Sequence, residues 1–407
     1  MDRKTKFKRI RRRRRNRQIF IGLLTLLVSC FIILLVQWKD YQALKSLNLH
    51  IKKPVPALVE NGNNKTKTHK IIKNQEVKNK NSAPKKEAEK QQKASPEINI
   101  IFAGDTMFDW DLRPILEKNG YDYPFVYVKD KVQRADYAFV NAETVFTDKT
   151  EKDPSQLFWI KSDPRGLQAL NKTGFDMLNL GNNHTLDYLR PGLNDTLQYV
   201  EQYGFDYIGA GRNEEEAYAS KEIEIKGKKF RFFSFVHFLP DVNWIAKNDR
   251  SGIPNGYDLE LIKKTILEQK GDSDYTIVYF HWGKEKQNIP VDYQYEYVKE
   301  LQKTGVDLII GSHPHWLQGF QYYNGMPVAY SLGNFLFPPY VKNESAQTGL
   351  LKVTFKGDQI KMNFDPYIIS KGQIIPVENA ERDQFLRYLQ SISFDVEISN
   401  TGDIIPK

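Results

Sequence analysis

Ile100–Met107 reads IIFAGDTM: four apolar residues, a glycine and then a carboxylate. The apolar run is a buried strand by its composition, and Gly104 lets the chain turn tightly so that Asp105 points off the sheet edge. On its own Asp105 is also what a turn or a helix N-cap supplies. Five further segments repeat the arrangement: Val140–Thr144 (VNAET), Leu178–His184 (LNLGNNH), Tyr279–Glu285 (YFHWGKE), Ile310–Trp316 (IGSHPHW) and Ala329–Phe335 (AYSLGNF). Each ends an apolar strand in oxygen or nitrogen side chains. In open α/β sheets function collects outside the carboxyl ends of the strands, and all six place their polar residues there.

Strands are expected at 98–102, 139–140, 177–180, 277–280, 308–310 and 328–330. Helical periodicity falls between them at 163–172, 191–203, 258–269 and 293–304, the last three closed by Gly204, Gly271 and Gly305. This alternation predicts a mostly parallel α/β sheet covered on both faces. Two hairpins are expected as well, one over 222–235 turning at Gly227 and one over 349–364 turning at Gly357-Asp358.

The polar strand ends have metal chemistry in common. Asp105 is a carboxylate ligand, and Asn141 and Glu143, two residues apart, face one side so that Glu143 can bridge two cations. Asn183 offers a neutral oxygen and His184 an imidazole able to donate a proton. His281, His313 and His315 close strands beside these carboxylates, and imidazole mixed with oxygen donors suits zinc, manganese or iron. One or two divalent ions are expected. A pair roughly 3.5–4 Å apart would bridge a hydroxide and hold it in line with a phosphorus or carbonyl centre. His50, His69 and His237 are given no role. A serine-nucleophile reading is weaker, because no Ser, His and Asp stand in a triad-like context.

The 407 residues carry a net +9, unevenly spread. Residues 1–17 hold eleven Lys or Arg against one Asp, residues 39–97 hold fourteen Lys against six acids, and 18–38 have no charged residue. Removing that +10 and +8 from +9 leaves −9 for residues 98–407. A nucleic-acid-binding role loses its support, since the basic charge belongs to the N-terminal quarter. Residues 18–38, as a helix rising about 1.5 Å per residue, cross a bilayer core, and the basic flank stays on the cytoplasmic side. The competing reading, a cleavable signal peptide, fits less well: the apolar run is too long and no small-x-small site closes it. The expectation is therefore a cytoplasmic tail (1–17), a single-pass transmembrane helix (18–38), a disordered Lys-rich linker (39–97) and an extracellular domain (98–407). The one cysteine, Cys30, lies in the span, so the outer domain has neither disulfide nor thiolate ligand.

In order along the chain, GD, N-x-E, NNH, HWG-x-E, H-P-H and YSLGNF resemble the capsule synthesis family that contains CapA and PgsA, the poly-γ-glutamate synthesis proteins of Gram-positive bacteria. The resemblance runs from about Ile98 to Phe337 and extends to the anchor layout. It implies a branch of the calcineurin-type metallophosphoesterases, a four-layered α/β/β/α fold with a dinuclear site. By position it implies Asp105, Glu143 and His315 on one metal, Glu143, Asn183, His281 and His313 on the other, and His184 as the catalytic acid. Two departures stand out: Asp105-Thr106-Met107 replaces Asp-x-His, and Glu143 replaces the bridging Asp. The function implied is a membrane-anchored protein of capsule or poly-γ-glutamate biosynthesis, working beside a membrane synthase and exporter subunits on an anionic polymer or phosphoester. The alternative is a non-catalytic assembly or polymer-binding subunit of the same machinery.

Overall fold

The computed structural model describes residues 95–407. The tail at 1–17, the apolar segment at 18–38 and the linker up to residue 94 lie outside the described residues. Among the described residues no helix is long and apolar enough to cross a membrane.

In chain order the main strands begin with β1 (Ile98–Thr106), β2 (Tyr137–Ala142), β3 (Met177–Asn179), β4 (Asp206–Ile208), β5 (Lys221–Ile225) and β6 (Lys228–Val236). They continue with β7 (Tyr275–His281), β8 (Leu308–Ser312), β9 (Leu317–Tyr323), β10 (Met326–Leu332), β11 (Gln347–Lys356), β12 (Gln359–Ser370), β13 (Val396–Ile398) and β14 (Asp403–Pro406). The longer helices are α1 (Arg113–Asn119), α2 (Arg165–Thr173), α3 (Leu189–Gln202), α4 (Leu259–Gln269), α5 (Asp292–Gln302) and α6 (Asn379–Ser391).

The alternation of strands and helices leads to one mostly parallel sheet, and the structure corrects that expectation to two mixed sheets. The first runs β13-β14-β12-β11-β1-β2-β3-β4, and the second β9-β10-β8-β7-β6-β5. The βα stretches do give parallel centres, β1 to β4 in one and β6, β7, β8 and β10 in the other. The hairpins β5–β6, β9–β10 and β11–β12 add antiparallel strands around them. The six polar segments divide evenly, three to each sheet.

Side-chain alternation explains why the sheets stack. Ile98, Ile100 and Phe102 of β1 face inward and share a core with Phe139, Phe232, Ile277, Tyr279, Leu308 and Ile310. Ile101 and Ala103 face the other way, onto Leu167 and Leu170 of α2 and Leu193 and Leu197 of α3. In the second sheet Val278, Phe280, Ile309 and Val328 pack on Ile262 and Ile266 of α4 and Val298 and Leu301 of α5. Each central strand is apolar on both faces, so it must be covered twice, and four layers result: helices, sheet, sheet, helices. Phe139 marks the junction, its ring 4.9 Å from Tyr279 and 6.1 Å from Phe232 across the inter-sheet space.

Phe139→Ala is expected to lose about 3–5 kcal/mol through the cavity it leaves, whereas Leu157→Ala, at a residue 81% exposed, should stay within about 0.5 kcal/mol of wild type. Denaturant unfolding of the two variants decides this; equal losses would contradict a core between the sheets.

Candidate metal centre

Both sheets end their parallel strands at the same edge, and the polar residues meet there. Asp105 lies one residue before the end of β1, where Gly104 is obligatory: a Cβ at that position would lie 2.0 Å from the Gly333 carbonyl oxygen. That contact joins the sheets, since the Asp105 amide donates to Gly333 O at 2.8 Å. From the second sheet, β7 ends in His281, and His313 and His315 follow β8 on either side of Pro314. Both histidines have positive φ, 96° and 56°, a region disfavoured for L residues and typical of strain held at functional sites.

The donors face one another closely. His281 Nε2 lies 2.6 Å from Asn183 Oδ1, 3.1 Å from His313 Nδ1 and 3.5 Å from Glu143 Oε1. One ring nitrogen cannot donate to all three. His315 Nδ1 lies 3.3 Å from Asp105 Oδ2 and 3.8 Å from Glu143 Oε2. Two groups thus form around a shared carboxylate, Glu143 with His281 and His313, and Glu143 with Asp105 and His315, each with ligand atoms within 4.8 Å of one another. Every residue singled out in the sequence is brought here, Asn183 and His184 included.

Whether these residues fit a cation is decided by their unmet bonding. Both Glu143 carboxylate oxygens and His313 Nε2 are buried with no hydrogen-bond partner. A buried, unpaired carboxylate is costly. Burial, then the neighbouring Asp105, push the Glu143 carboxyl well above the usual range. Burial, then adjacent imidazoles, hold His281 and His313 well below theirs. Burial also works against the charged form of His315, but Glu143 and Asp105 outweigh it and raise it to about 10. Neutral imidazoles and a buried carboxyl group with both oxygens unpartnered, converging on one point, make up a divalent cation's coordination set. The residues fit the group.

Several residues that complete the site escape a reading of the sequence. Asp187 Oδ2 is 2.7 Å from His184 Nδ1, and its carboxylate also accepts from Gln156 Nε2 at 2.8 Å and the Ile160 amide at 2.6 Å. Ser312 Oγ lies 3.0 Å from His281 Nδ1, and Asn334 Oδ1 2.9 Å from His315 Nδ1. Beneath the cluster a buried amide chain runs from Asp105 to Asn141 (2.7 Å), from Asn141 to Asn179 (2.7 Å) and on to Ser234 (2.6 Å). The i, i+3 spacing of His184 and Asp187 is the one legible signal among these. Met107, standing where the resemblance implies a histidine, is buried with Ile160, Phe337 and Ile369 and serves packing.

Fold and donors together define a two-sheet α/β protein with a buried carboxylate–imidazole centre suited to divalent cations. Residues 99–339 match the model of the Bacterial capsule synthesis protein PGA_cap family, more than half of the chain, and the chain belongs to that family. It is 31% identical over 244 residues to the PGA biosynthesis protein CapA of Bacillus subtilis, covering 59% of this chain and 63% of that protein. Over 245 residues it is 29% identical to the capsule biosynthesis protein CapA of Bacillus anthracis, covering 59% and 60%. The match therefore spans about three fifths of these curated relatives. A solved structure of a hypothetical protein from Thermus thermophilus aligns at 14% identity and a TM-score of 0.42, over 69% of this chain and all of that one.

Metal analysis of the purified chain should find divalent ion that His281→Ala and His313→Ala lose. Added manganese or zinc should raise the stability of the wild type, by about 2.7 kcal/mol at a hundredfold excess over Kd, and chelator should remove that gain. A melting temperature indifferent to both additions would count against the site.

Proposed function

We propose that this protein is a membrane-anchored, extracellular component of capsule or poly-γ-glutamate-type polymer synthesis that cleaves a phosphoester or amide bond of an anionic polymer or its precursor. The observation that carries the reading is the orphaned Glu143 carboxylate between two groups of ligands, set beside a histidine–aspartate pair. Membership in the capsule synthesis family supports the pathway. The uncharged segment at 18–38 behind its +10 flank supports the anchor.

Asp105, Glu143 and His315 would hold one divalent ion, and Glu143, Asn183, His281 and His313 a second, with manganese, zinc or iron matching the donors. When bound, such ions supply Lewis-acid activation of water and neutralise charge on the reacting group. The protein's own residues do the rest. Ser312 and Asn334 fix the rings of His281 and His315 through their Nδ1 atoms. Asp187 takes the Nδ1–H of His184, which leaves Nε2 to give its proton to the leaving oxygen or nitrogen, and Asp187 stabilises the charged ring before transfer. His184 follows Asn183 directly and is close enough for its charge to disfavour protonation of His281 and His313. Phe238, stacked on His313 with centroids 4.5 Å apart, gives the mouth an apolar wall that excludes water.

A second reading has its own observation. Met107 offers no imidazole to the Asp105 side, which favours a non-catalytic subunit that uses the centre to bind polymer beside the synthase and exporter.

His184→Ala should keep its metal and lose turnover by about 10²–10⁴-fold, with Asp187→Asn shifted the same way. If His184→Ala loses metal as completely as His281→Ala, the proton-donor role is wrong. Full capsule output from cells carrying His184→Ala would instead select the binding subunit. Protease added to intact, wall-stripped cells should remove residues 98–407; survival until lysis would refute the topology.

A further inference from the structure

Two residues past Asp187 the chain enters α3 through Leu189, whose φ of 57° places a bulky residue in the left-handed region. The strained turn sets Arg190 at the start of the helix. Arg190, Asn194 and Gln198 follow at four-residue intervals along one face of α3, a span of about 12 Å at 1.5 Å per residue. They line one wall of an open groove of about 610 Å³, whose other lining residues are Arg212, Asp249, Arg250 and Ser251.

The cations of this groove are unevenly paired. Arg212 is engaged by Glu201 at 2.8 Å and by Glu216. Arg190 and Arg250 have no carboxylate partner among the described residues. Arg190 donates only to backbone carbonyls, Ser251 O at 3.2 Å and Asn243 O at 2.6 Å. Arg250 donates to Ile245 O at 3.3 Å, and its buried Nε has no partner. Burial and the like charge of Arg250 lower the proton affinity of Arg190. Asp153 and Asp241 offset part of this from a distance, but neither pairs with Arg190 directly: Asp153 accepts from Trp244 and Ser155, and Asp241 from the Asn243 amide. Two guanidiniums held near one another with no ion-pair partner of their own repel each other, and an oxyanion placed between them relieves that cost. The arrangement is rigid, because Gly211 and Gly252 exchange both backbone hydrogen bonds at 3.0 Å and pin the 243–252 loop to the base of the groove.

We propose that this groove is a binding site for a carboxylate-bearing chain, separate from the metal centre and independent of it. Its charge is modest, two unpaired arginines against the exposed Asp249 on the rim, which matches singly charged carboxylates better than doubly charged phosphates. Its length accommodates successive groups, and Asn194 and Gln198 present amide donors and acceptors to the links between them. Arg190 and Arg250 grip one carboxylate while the next segment lies along α3 toward Gln198.

The test is binding of a fluorescently labelled glutamate oligomer to the purified full chain, followed by anisotropy with and without chelator. Arg190→Ala and Arg250→Ala should each weaken binding roughly tenfold or more, the usual effect of losing a charged hydrogen bond. Because Arg190 also braces two carbonyls, Asn194→Asp and Gln198→Glu serve as surface variants: both sites are exposed, so the fold is kept while repulsion enters the groove, and binding should again fall. Chelator should leave the wild-type affinity intact, and an equal concentration of inorganic phosphate should not displace the oligomer. Unchanged affinity in all four variants, displacement by phosphate, or loss of binding with chelator would each overturn the proposal. Metal content, which decides the reading of the other centre, should be the same in all four variants as in the wild type.

Discussion

A buried carboxylate with no hydrogen-bond partner is the constraint around which this fold is arranged. Glu143 sits between two sheets with both oxygens orphaned, a state that costs several kcal/mol unless a cation joins it. The imidazoles cannot cancel that cost by proton transfer, because His281 and His313 are themselves held neutral by burial. Only the His315 ring, drawn up by Glu143 and Asp105, partly compensates. A divalent ion reverses the electrostatic logic of the whole cluster, favouring the ionised carboxylates and neutral rings together.

Holding such a cluster requires a frame that resists its repulsions. The inter-sheet core of Phe102, Phe139, Phe232 and Tyr279 supplies it directly beneath the site. Above that core the two sheets are tied by backbone contact between Gly104 and Gly333, and no side chain fits at Gly104. The amide chain through Asn141 and Asn179 to Ser234 spans from the first sheet to the second, every member satisfied. A fully satisfied buried network rigidifies its surroundings, and here it fixes the carboxylate of Asp105. Positive φ at His313 and His315 is strain that this frame can bear.

How much of this is legible in the sequence follows from locality. Strand ends such as IIFAGD and LIIGSHPH announce themselves, because apolar composition and polar termini lie within eight residues of one another. The four helices and two hairpins are equally local, and they fall where periodicity and glycine place them. The division into two sheets is not local: β1 and β7 have the same pattern, and nothing in either says which neighbours it pairs with. The bracing groups are hidden for the same reason. Gln156 reaches Asp187 from a loop, and Ser312 and Asn334 are ordinary strand residues until His281 and His315 stand beside them. Arg190 and Arg250 are far apart along the chain, and their lack of ion-pair partners among the described residues is visible only in three dimensions.

The two halves of the candidate metal centre are unequal, and the inequality comes from Asp105 and Met107. Asp105 Oδ1 accepts from Asn141, and Oδ2 takes the His313 amide at 3.3 Å and His315 at the same distance, so its charge is already shared among protein donors. Met107 is committed to an apolar cluster and adds no donor. The Glu143–His281–His313 side has the opposite balance, with unpartnered atoms on Glu143 and His313 and the Asn183 oxygen beside His281. A cation gains more there, because it satisfies groups that nothing else satisfies, whereas on the Asp105 side it must compete with bonds already made. His184 stands beside that better-furnished side with its Nδ1 already met by Asp187, so the ring is steered by that bond.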